Sequence, residues 1–92
     1  MEFEWHPAKA AENLTKHQVS FAYGATVFGD FLAATAQDPD HSGSEPRFIT
    51  IGMSNRRRLL MVAHAERNGT VRIISARKLT HNERRTYEQT QS

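Results

Sequence analysis

The sequence contains no cysteine, so neither a disulfide framework nor a thiolate metal site can stabilise the fold. The composition also gives no indication of an oxidising compartment. At 92 residues, the chain is long enough to bury roughly two thirds of the surface that its unfolded form exposes. We therefore expect residues 1–92 to form a single domain with a modest two-layer core and no covalent cross-link.

Long apolar runs are absent as well, and none approaches the ~20 residues that a membrane-spanning helix requires. The first residues, MEFEWHPAKAAENLTKH, carry acids where a signal peptide has basic residues followed by an apolar centre. From these features we expect a cytoplasmic protein with no membrane partner.

The two halves of the chain differ in charge. Residues 1–45 carry seven acids against two lysines, a net charge of −5, whereas residues 46–92 carry ten bases against three acids, a net charge of +7. A protein that binds a polyanion needs positive charge at one surface and not a high overall total. Alternatively, the positive charge of the second half serves only to keep a small domain soluble. The charge distribution alone leaves both interpretations open.

The first half of the sequence predicts one strand and two helices. EFEW alternates polar and apolar residues, as a short strand does, and Pro7 is suited to the first turn of a helix over residues 7–17. Lys16 and His17 lie in its last turn, where positive charge is favoured by the helix dipole. Ser20 is placed to cap a second, short helix, and DFLAATAQ is compatible with a further strand.

The second half predicts three antiparallel strands, RFITIGM, LLMVAHAE and TVRIISARK, of which the last two are joined by an Asn-Gly turn. With a two-residue turn, His64 faces Ile73, and strict alternation places Val62 opposite Ser75. An even-length turn at SNRRR adds the β-branched residues of the first strand to the same face, which we expect to be the core. The predicted core face is Arg47, Ile49, Ile51, Met53, Leu60, Val62, His64, Val71, Ile73, Ser75 and Arg77.

After the third of these strands, Thr80 and Glu83 match the S/T-x-x-E capping box that begins a helix. The elements together indicate an α+β fold, with a small antiparallel sheet, two N-terminal helices and one C-terminal helix.

Cations gather where the last strand ends and the last helix begins. Arg77 and Lys78 close the strand, two residues before a helix N-terminus that favours anions. Glu83 competes for that position, because as a cap it occupies the same backbone donors, and capping is more common than a role as catalytic base. Arg84 and Arg85 oppose the helix dipole, which suggests that function, and not helix stability, placed them there. The alternative is that Glu88, at i,i+4 from Arg84, partly relieves this unfavourable charge.

Other candidate residues have simpler interpretations. His64, on the apolar face of a strand, is by default a core histidine, with proton transfer as the alternative. The arginines at 56–58 form either a solvated loop tip or a contact to a nucleic-acid backbone. Asp38, Asp40 and His41 are metal-ligand types, but their spacing matches no calcium loop or zinc motif, and we expect no metal or other cofactor.

The sequence shows no Ser-His-Asp arrangement, Gly-rich phosphate loop or cysteine nucleophile. A ribonuclease that works without a metal ion needs none of these, because the ribose 2′-hydroxyl is the nucleophile and the protein supplies proton transfer and cations. Arginines, histidines and a glutamate suffice for that chemistry.

FEWHPAKAAENLTKHQVSF near the N-terminus and RIISARKLTHNERRTYE near the C-terminus resemble the BrnT toxins of bacterial type II toxin–antitoxin systems. Asp30, Arg47, the TIG of residues 50–52 and the apolar residues around Val62 match the middle of that family. The resemblance covers nearly the whole chain.

This resemblance implies a RelE-like ribonuclease fold, cleavage of RNA that inhibits translation, and neutralisation by a BrnA-type antitoxin with a DNA-binding domain. It also implies that the toxin reaches operator DNA only through this antitoxin, and that the complex represses its own operon. The motif positions imply catalytic roles for Arg77, Glu83 and Arg84. RNA-binding roles are implied for Arg72, Lys78, Arg85, Lys16, His17 and His64.

A second hypothesis is a non-catalytic module, in which the basic surface binds nucleic acid or an acidic antitoxin segment and the protein acts as a co-repressor. Arg77→Lys separates the two hypotheses, because simple backbone binding tolerates it and a bidentate contact to a scissile phosphate does not.

Two residues depart from the family pattern. His6 stands where the pattern has Asp, and we expect a poorer helix cap that costs about 1 kcal/mol or less. Gln18 stands where the pattern has a helix-ending Gly, and we expect strain in that turn and a displaced His17.

Overall fold

The computed structural model describes residues 1–39 and 45–91. The helices are α1 (Pro7–His17), α2 (Phe21–Gly24) and α3 (His81–Gln91), and a 3-10 helix (Ala25–Gly29) follows α2 directly. The strands are β1 (Glu2–Glu4), β2 (Ala34–Gln37), β3 (Arg47–Met53), β4 (Leu59–Arg67) and β5 (Thr70–Lys78). In the described part of the chain, no helix is both long and apolar enough to span a membrane.

The five strands form one sheet in the order β1-β5-β4-β3-β2. The sheet is mixed and not antiparallel as predicted, because β1 pairs in parallel with β5 and places Phe3 beside Val71. A parallel pair needs a long crossover connection, and here the whole chain between the two strands provides it. The short pattern of β1 contains no information on that distant partner.

One face of the sheet carries the core, beneath α1, α2 and the 3-10 helix. Its buried apolar side chains are Val19, Phe21, Val27, Leu60, Val62, Val71, Ile73 and Ala76. The opposite face lies under α3, and the Tyr87 hydroxyl of α3 donates a hydrogen bond to the carbonyl of Leu32 at 3.1 Å.

A β-bulge in β5 decides which side chains reach the core. The predicted pairing holds as far as His64 and Ile73, but the register then shifts between Ala63 and His64, and Val62 pairs with Ala76. A bulge adds one residue to one strand and reverses the alternation beyond it. Ala76 therefore enters the core, and Arg77 lies on the opposite face, contrary to the predicted core face.

The face that β3 presents to the core is also the reverse of the one predicted. The turn from β3 to β4 contains five residues, 54–58, so Met53 pairs with Leu59 and the expected even-length turn is wrong. Thr50 and Gly52 consequently face the core. The chain passes close to its neighbours at Gly52, because a Cβ there would lie 3.0 Å from the Cβ of Ala33 and 3.1 Å from the carbonyl oxygen of Val27.

The ends of α1 lie where the sequence predicts them. The His6 Nδ1 accepts a hydrogen bond from the N–H of Ala8 at 3.2 Å, so histidine takes the capping role at this position. At the other end Gln18 adopts the left-handed conformation, with φ 56° and ψ 30°, and its N–H donates to the carbonyl of Leu14. A non-glycine residue therefore occupies a turn that favours glycine.

Asn13 joins α1 to β5 through a side-chain amide that is 7% exposed. Its Nδ2 donates to the carbonyls of Val19 and Ala76, each at 2.8 Å, and its Oδ1 accepts from the N–H of Ala76 at 3.1 Å. β1 pairs with β5 as far as Arg72. Beyond that point the Asn13 amide takes the place of a neighbouring strand for the backbone of Ala76.

We expect Asn13→Ala to lower the free energy of unfolding by about 3 kcal/mol, because buried backbone groups of Val19 and Ala76 lose their partner. Urea denaturation measures this loss. Glu12→Ala, an exposed position on the same helix, is the matched control and changes stability little. A loss below about 1 kcal/mol for Asn13→Ala would contradict the role of the amide.

We expect Gln18→Gly to raise the free energy of unfolding by about 0.5 to 1 kcal/mol, because glycine adopts the left-handed conformation without a Cβ penalty. Thermal denaturation measures the change. Gln18→Ala keeps the backbone strain and removes the side-chain bond to the carbonyl of Thr15, so it lowers stability. Equal effects of both substitutions would show that backbone strain is not the cause.

Candidate nucleic-acid interface

Five cations converge where the turn between β3 and β4, the end of β5 and the first turn of α3 meet. The backbone N–H of Leu79 donates to the carbonyl of Leu59 at 3.4 Å, which keeps the segment after β5 beside the start of β4. We name these five residues the basic cluster: Arg56, Arg57, Arg58, Lys78 and Arg84.

The basic cluster lines two neighbouring depressions, which share Arg58 and Lys78. The Tyr23 depression, of about 490 Å³, is lined by Leu14, Gln18, Ser20, Tyr23, Arg56, Arg58 and Lys78. The Arg84 depression, of about 270 Å³, is lined by Met53, Arg57, Arg58, Leu59, Lys78, Leu79 and Arg84. No acidic residue is among these lining residues, so the positive charge is not compensated within either depression.

Ser54 organises the turn that carries three of the five cations. Its buried Oγ accepts hydrogen bonds from the backbone N–H groups of Arg56 at 3.2 Å and Arg58 at 3.1 Å. The Tyr23 hydroxyl lies 2.7 Å from the same oxygen and connects α2 to the turn. Arg57 has φ 60°, and its N–H donates to the carbonyl of Ser54 at 3.0 Å. The turn is therefore held by internal hydrogen bonds while its arginines remain exposed.

Arg77 and Glu83 form a bidentate ion pair beside the basic cluster. The two guanidinium nitrogens of Arg77 lie 2.8 and 2.9 Å from the carboxylate oxygens of Glu83. The predicted capping box is confirmed, since the Glu83 carboxylate accepts from the N–H of Thr80 at 2.9 Å and the Thr80 hydroxyl accepts from the N–H of Glu83 at 3.2 Å. The pair therefore fastens the start of α3 to the end of β5.

This ion pair keeps Glu83 charged. The hydrogen bond from Arg77, followed by that from the Thr80 backbone, lowers the pKa of Glu83 to about 2, and the hydrogen bond to Glu83 raises the pKa of Arg77. At neutral pH Glu83 is an engaged carboxylate, which is unable to act as a general acid and is a weak base. Its geometry suits a residue that positions Arg77 and α3.

Arg72, a predicted RNA-binding residue, lies far from the basic cluster. It precedes Lys78 by six residues on β5, which corresponds to about 20 Å along the strand. Glu45 forms ion pairs with both Arg72 and Arg67, so the charge of Arg72 is also partly neutralised.

Lys16 and His17 line a separate depression with Ile74 and Ser75, beside the residues of α1 that approach β5. Arg85 is exposed and follows Arg84 in α3, but it lines neither depression of the basic cluster. Of the predicted RNA-binding residues, Lys78 is the one that the structure places within the cluster.

His64 is fully buried and has no surface to offer to RNA. Its Nε2 lies 2.8 Å from the hydroxyl of Thr50, and its ring contacts Phe28 edge-on and stacks on Phe48, at centroid distances of 5.0 and 5.9 Å. Burial lowers the pKa of His64. The position fits a core histidine and does not fit a residue that contacts RNA.

Sequence reasoning did not identify Tyr23 as a site residue, and it left the arginines of the β3–β4 turn open between a solvated loop tip and a contact to a nucleic-acid backbone. The arginine run was visible at residues 56–58, but its proximity to Lys78 and Arg84 depends on how the strands pair.

Among the described residues, no three His, Asp or Glu side chains are grouped so as to hold a metal ion, and Asp40 and His41 lie outside those residues.

A basic surface on a small α+β fold defines a protein suited to binding an extended anion. The chain belongs to the family of BrnT ribonuclease toxins of type II toxin–antitoxin systems, whose family model matches residues 5–83. The match confirms the resemblance and includes all of the basic cluster except Arg84, which follows the last matched residue.

The fold is similar to that of the Brucella abortus ribonuclease toxin BrnT, known from a crystal structure at 1.1 Å resolution. The TM-score is 0.67 at 24% sequence identity, and the alignment covers 88% of this chain and 99% of that one. At this identity the likeness supports the fold alone. A comparison with curated proteins found no match.

We expect the Glu83 carboxyl to titrate at about 2, and Arg77→Met to move that titration towards the ordinary value of 4.5. The lowered pKa means that the pair stabilises the folded state above pH 4.5, and that this contribution is lost as the pH falls through about 2. NMR detection of the side-chain carboxyl carbons measures the titration directly. Arg84→Met removes a neighbouring charge without touching the pair, so it leaves the Glu83 titration nearly unchanged. A wild-type titration near 4.5 would contradict the ion pair.

Proposed function

We propose that this chain is a RelE-like toxin that cleaves RNA without a metal ion and so inhibits translation in the cytoplasm. The observation that carries the proposal is the basic cluster, whose two depressions share Arg58 and Lys78 and have no acidic lining residue. Membership of a family of ribonuclease toxins supports nuclease activity in general.

RNA supplies its own nucleophile in the proposed reaction. The ribose 2′-hydroxyl loses its proton and attacks the adjacent phosphorus, the bond to the 5′-oxygen breaks, and that oxygen takes up a proton. The products are a 2′,3′-cyclic phosphate end and a 5′-hydroxyl end. Negative charge grows on the phosphoryl oxygens in the transition state, and preorganised cations stabilise it.

In this proposal three cations hold the scissile phosphate: Arg58, Lys78 and Arg84. Arg58 and Lys78 line both depressions, so a phosphate between them has a flanking nucleotide on each side. Arg84 completes the contact from α3, although Glu88 pairs with its Nε at 3.2 Å in an exposed position. Exposed ion pairs of this kind are weak, so a phosphate can replace Glu88.

In this proposal Arg77 and Glu83 are positioning residues, and the sequence prediction that they are catalytic stays a prediction. Their ion pair fixes the residue that precedes Arg84 and therefore the direction of Arg84. Arg77→Lys keeps the charge but loses the bidentate geometry, so it weakens the anchoring of α3.

We also propose that a BrnA-type antitoxin neutralises the toxin by covering the basic cluster with an acidic segment. Type II family membership implies a protein antitoxin, and the net charge of +7 over residues 46–92 favours an acidic partner there. In the proposed complex the antitoxin contacts operator DNA, and the pair represses its own operon.

The test is cleavage of single-stranded RNA by purified protein in excess EDTA. We expect products with 2′,3′-cyclic phosphate ends. Arg84→Gln and Lys78→Gln each lower the cleavage rate by about 10²-fold, because each variant loses a contact to the developing charge. Arg67→Gln is the matched control, since Arg67 and Arg84 side chains are both 64% exposed and both paired with a glutamate. The control keeps the wild-type rate.

Three results would count against the proposal. Cleavage that requires added Mg²⁺ would exclude the metal-independent reaction, and equal rates for Arg84→Gln and Arg67→Gln would exclude the site. RNA binding without any cleavage would favour the alternative, a non-catalytic module that acts with the antitoxin as a co-repressor.

A further inference from the structure

We infer that the Tyr23 depression is a nucleobase subsite, in which one unpaired base of single-stranded RNA stacks against Tyr23 and Arg56. The inference rests on the proposed function and deepens it, because it names the part of the substrate that this depression binds. It also gives a physical reason for a preference for single strands.

Tyr23 and Arg56 form a cationic stacking surface. The guanidinium carbon of Arg56 lies 5.4 Å from the centroid of the Tyr23 ring. The ring is half-buried, and its hydroxyl is held by Ser54 at 2.7 Å, so its orientation is set before any ligand binds. Aromatic rings and guanidinium planes are the surfaces on which proteins stack unpaired RNA bases.

The end of α1 also lines the depression. Leu14 lines it with a side chain that remains 51% exposed, which offers an apolar contact for the edge and face of a base. Gln18 lies beside it in the left-handed turn, and its side-chain amide can donate to and accept from base edges.

Size and charge both suit a nucleotide. The depression of about 490 Å³ falls within the usual range of small-molecule sites. Lys78 and Arg58 line both this depression and the Arg84 depression, so a base bound here belongs to a nucleotide next to the proposed scissile phosphate. In a duplex the base faces are covered by their neighbours, so this contact requires an unpaired base.

The test compares the affinity of a short 2′-O-methyl oligonucleotide with that of an abasic oligonucleotide of equal charge. Neither has a free 2′-hydroxyl at the bond concerned, so binding is measured without cleavage. We expect the wild type to bind the base-containing probe roughly 5- to 100-fold more tightly, as stacking of one base predicts. Tyr23→Leu abolishes this preference, whereas Tyr23→Phe retains it, because both variants lose the hydroxyl that contacts Ser54 but only Tyr23→Phe keeps the ring.

Tyr23 also packs against the core, so two exposed positions provide a second test if Tyr23→Leu does not fold. Leu14→Ser and Arg56→Gln each reduce the preference for the base-containing probe several-fold. An unchanged preference in both variants would overturn the inference, as would a wild type that binds the two probes equally.

The cleavage assay distinguishes failure of this inference from failure of the proposed function. A protein that cleaves RNA but shows no preference for bases retains the ribonuclease function and loses the subsite. A protein that prefers the base-containing probe but never cleaves RNA retains the subsite and loses the ribonuclease reaction.

Discussion

The side-chain amide of Asn13 makes the interaction on which the rest of the structure depends. Its three hydrogen bonds to the backbone of Val19 and Ala76 hold β5 at the point where β1 no longer pairs with it. Ala76 lies just beyond the bulge and enters the core, so the next residue, Arg77, leaves it. Without the bulge, strict alternation would direct the Arg77 guanidinium into an apolar layer, which is far more costly than any single hydrogen bond.

Two successive residues at the end of β5, Arg77 and Lys78, have different roles. Arg77 forms a bidentate ion pair with Glu83 in α3, which fastens the C-terminal helix to the sheet. Lys78 points to the other side and reaches both depressions of the basic cluster. Arg77 therefore stabilises the structure, and Lys78 remains available for a ligand.

Repulsion among the cations of the basic cluster destabilises the fold, and hydrogen bonds in the same turn stabilise it. Like charges close together repel, although exposure to water and salt keeps that repulsion small. Ser54 compensates by closing the turn with hydrogen bonds to the backbone of Arg56 and Arg58. The other end of the sheet differs, since Glu45 pairs with Arg67 and Arg72 there. The ion pair of Arg84 with Glu88 is exposed and therefore weak, so the basic cluster keeps most of its positive charge.

Local signals in the sequence by themselves determined α1, the Ser20 cap, the Asn68-Gly69 hairpin and the Thr80–Glu83 capping box, because each depends on residues only a few positions apart. The tertiary structure alone decided the parallel pairing of β1, the bulge in β5, and the approach of the arginines at 56–58 to Lys78 and Arg84. These features depend on which distant backbone groups pair and in which register, and a local pattern of polar and apolar residues does not specify that choice.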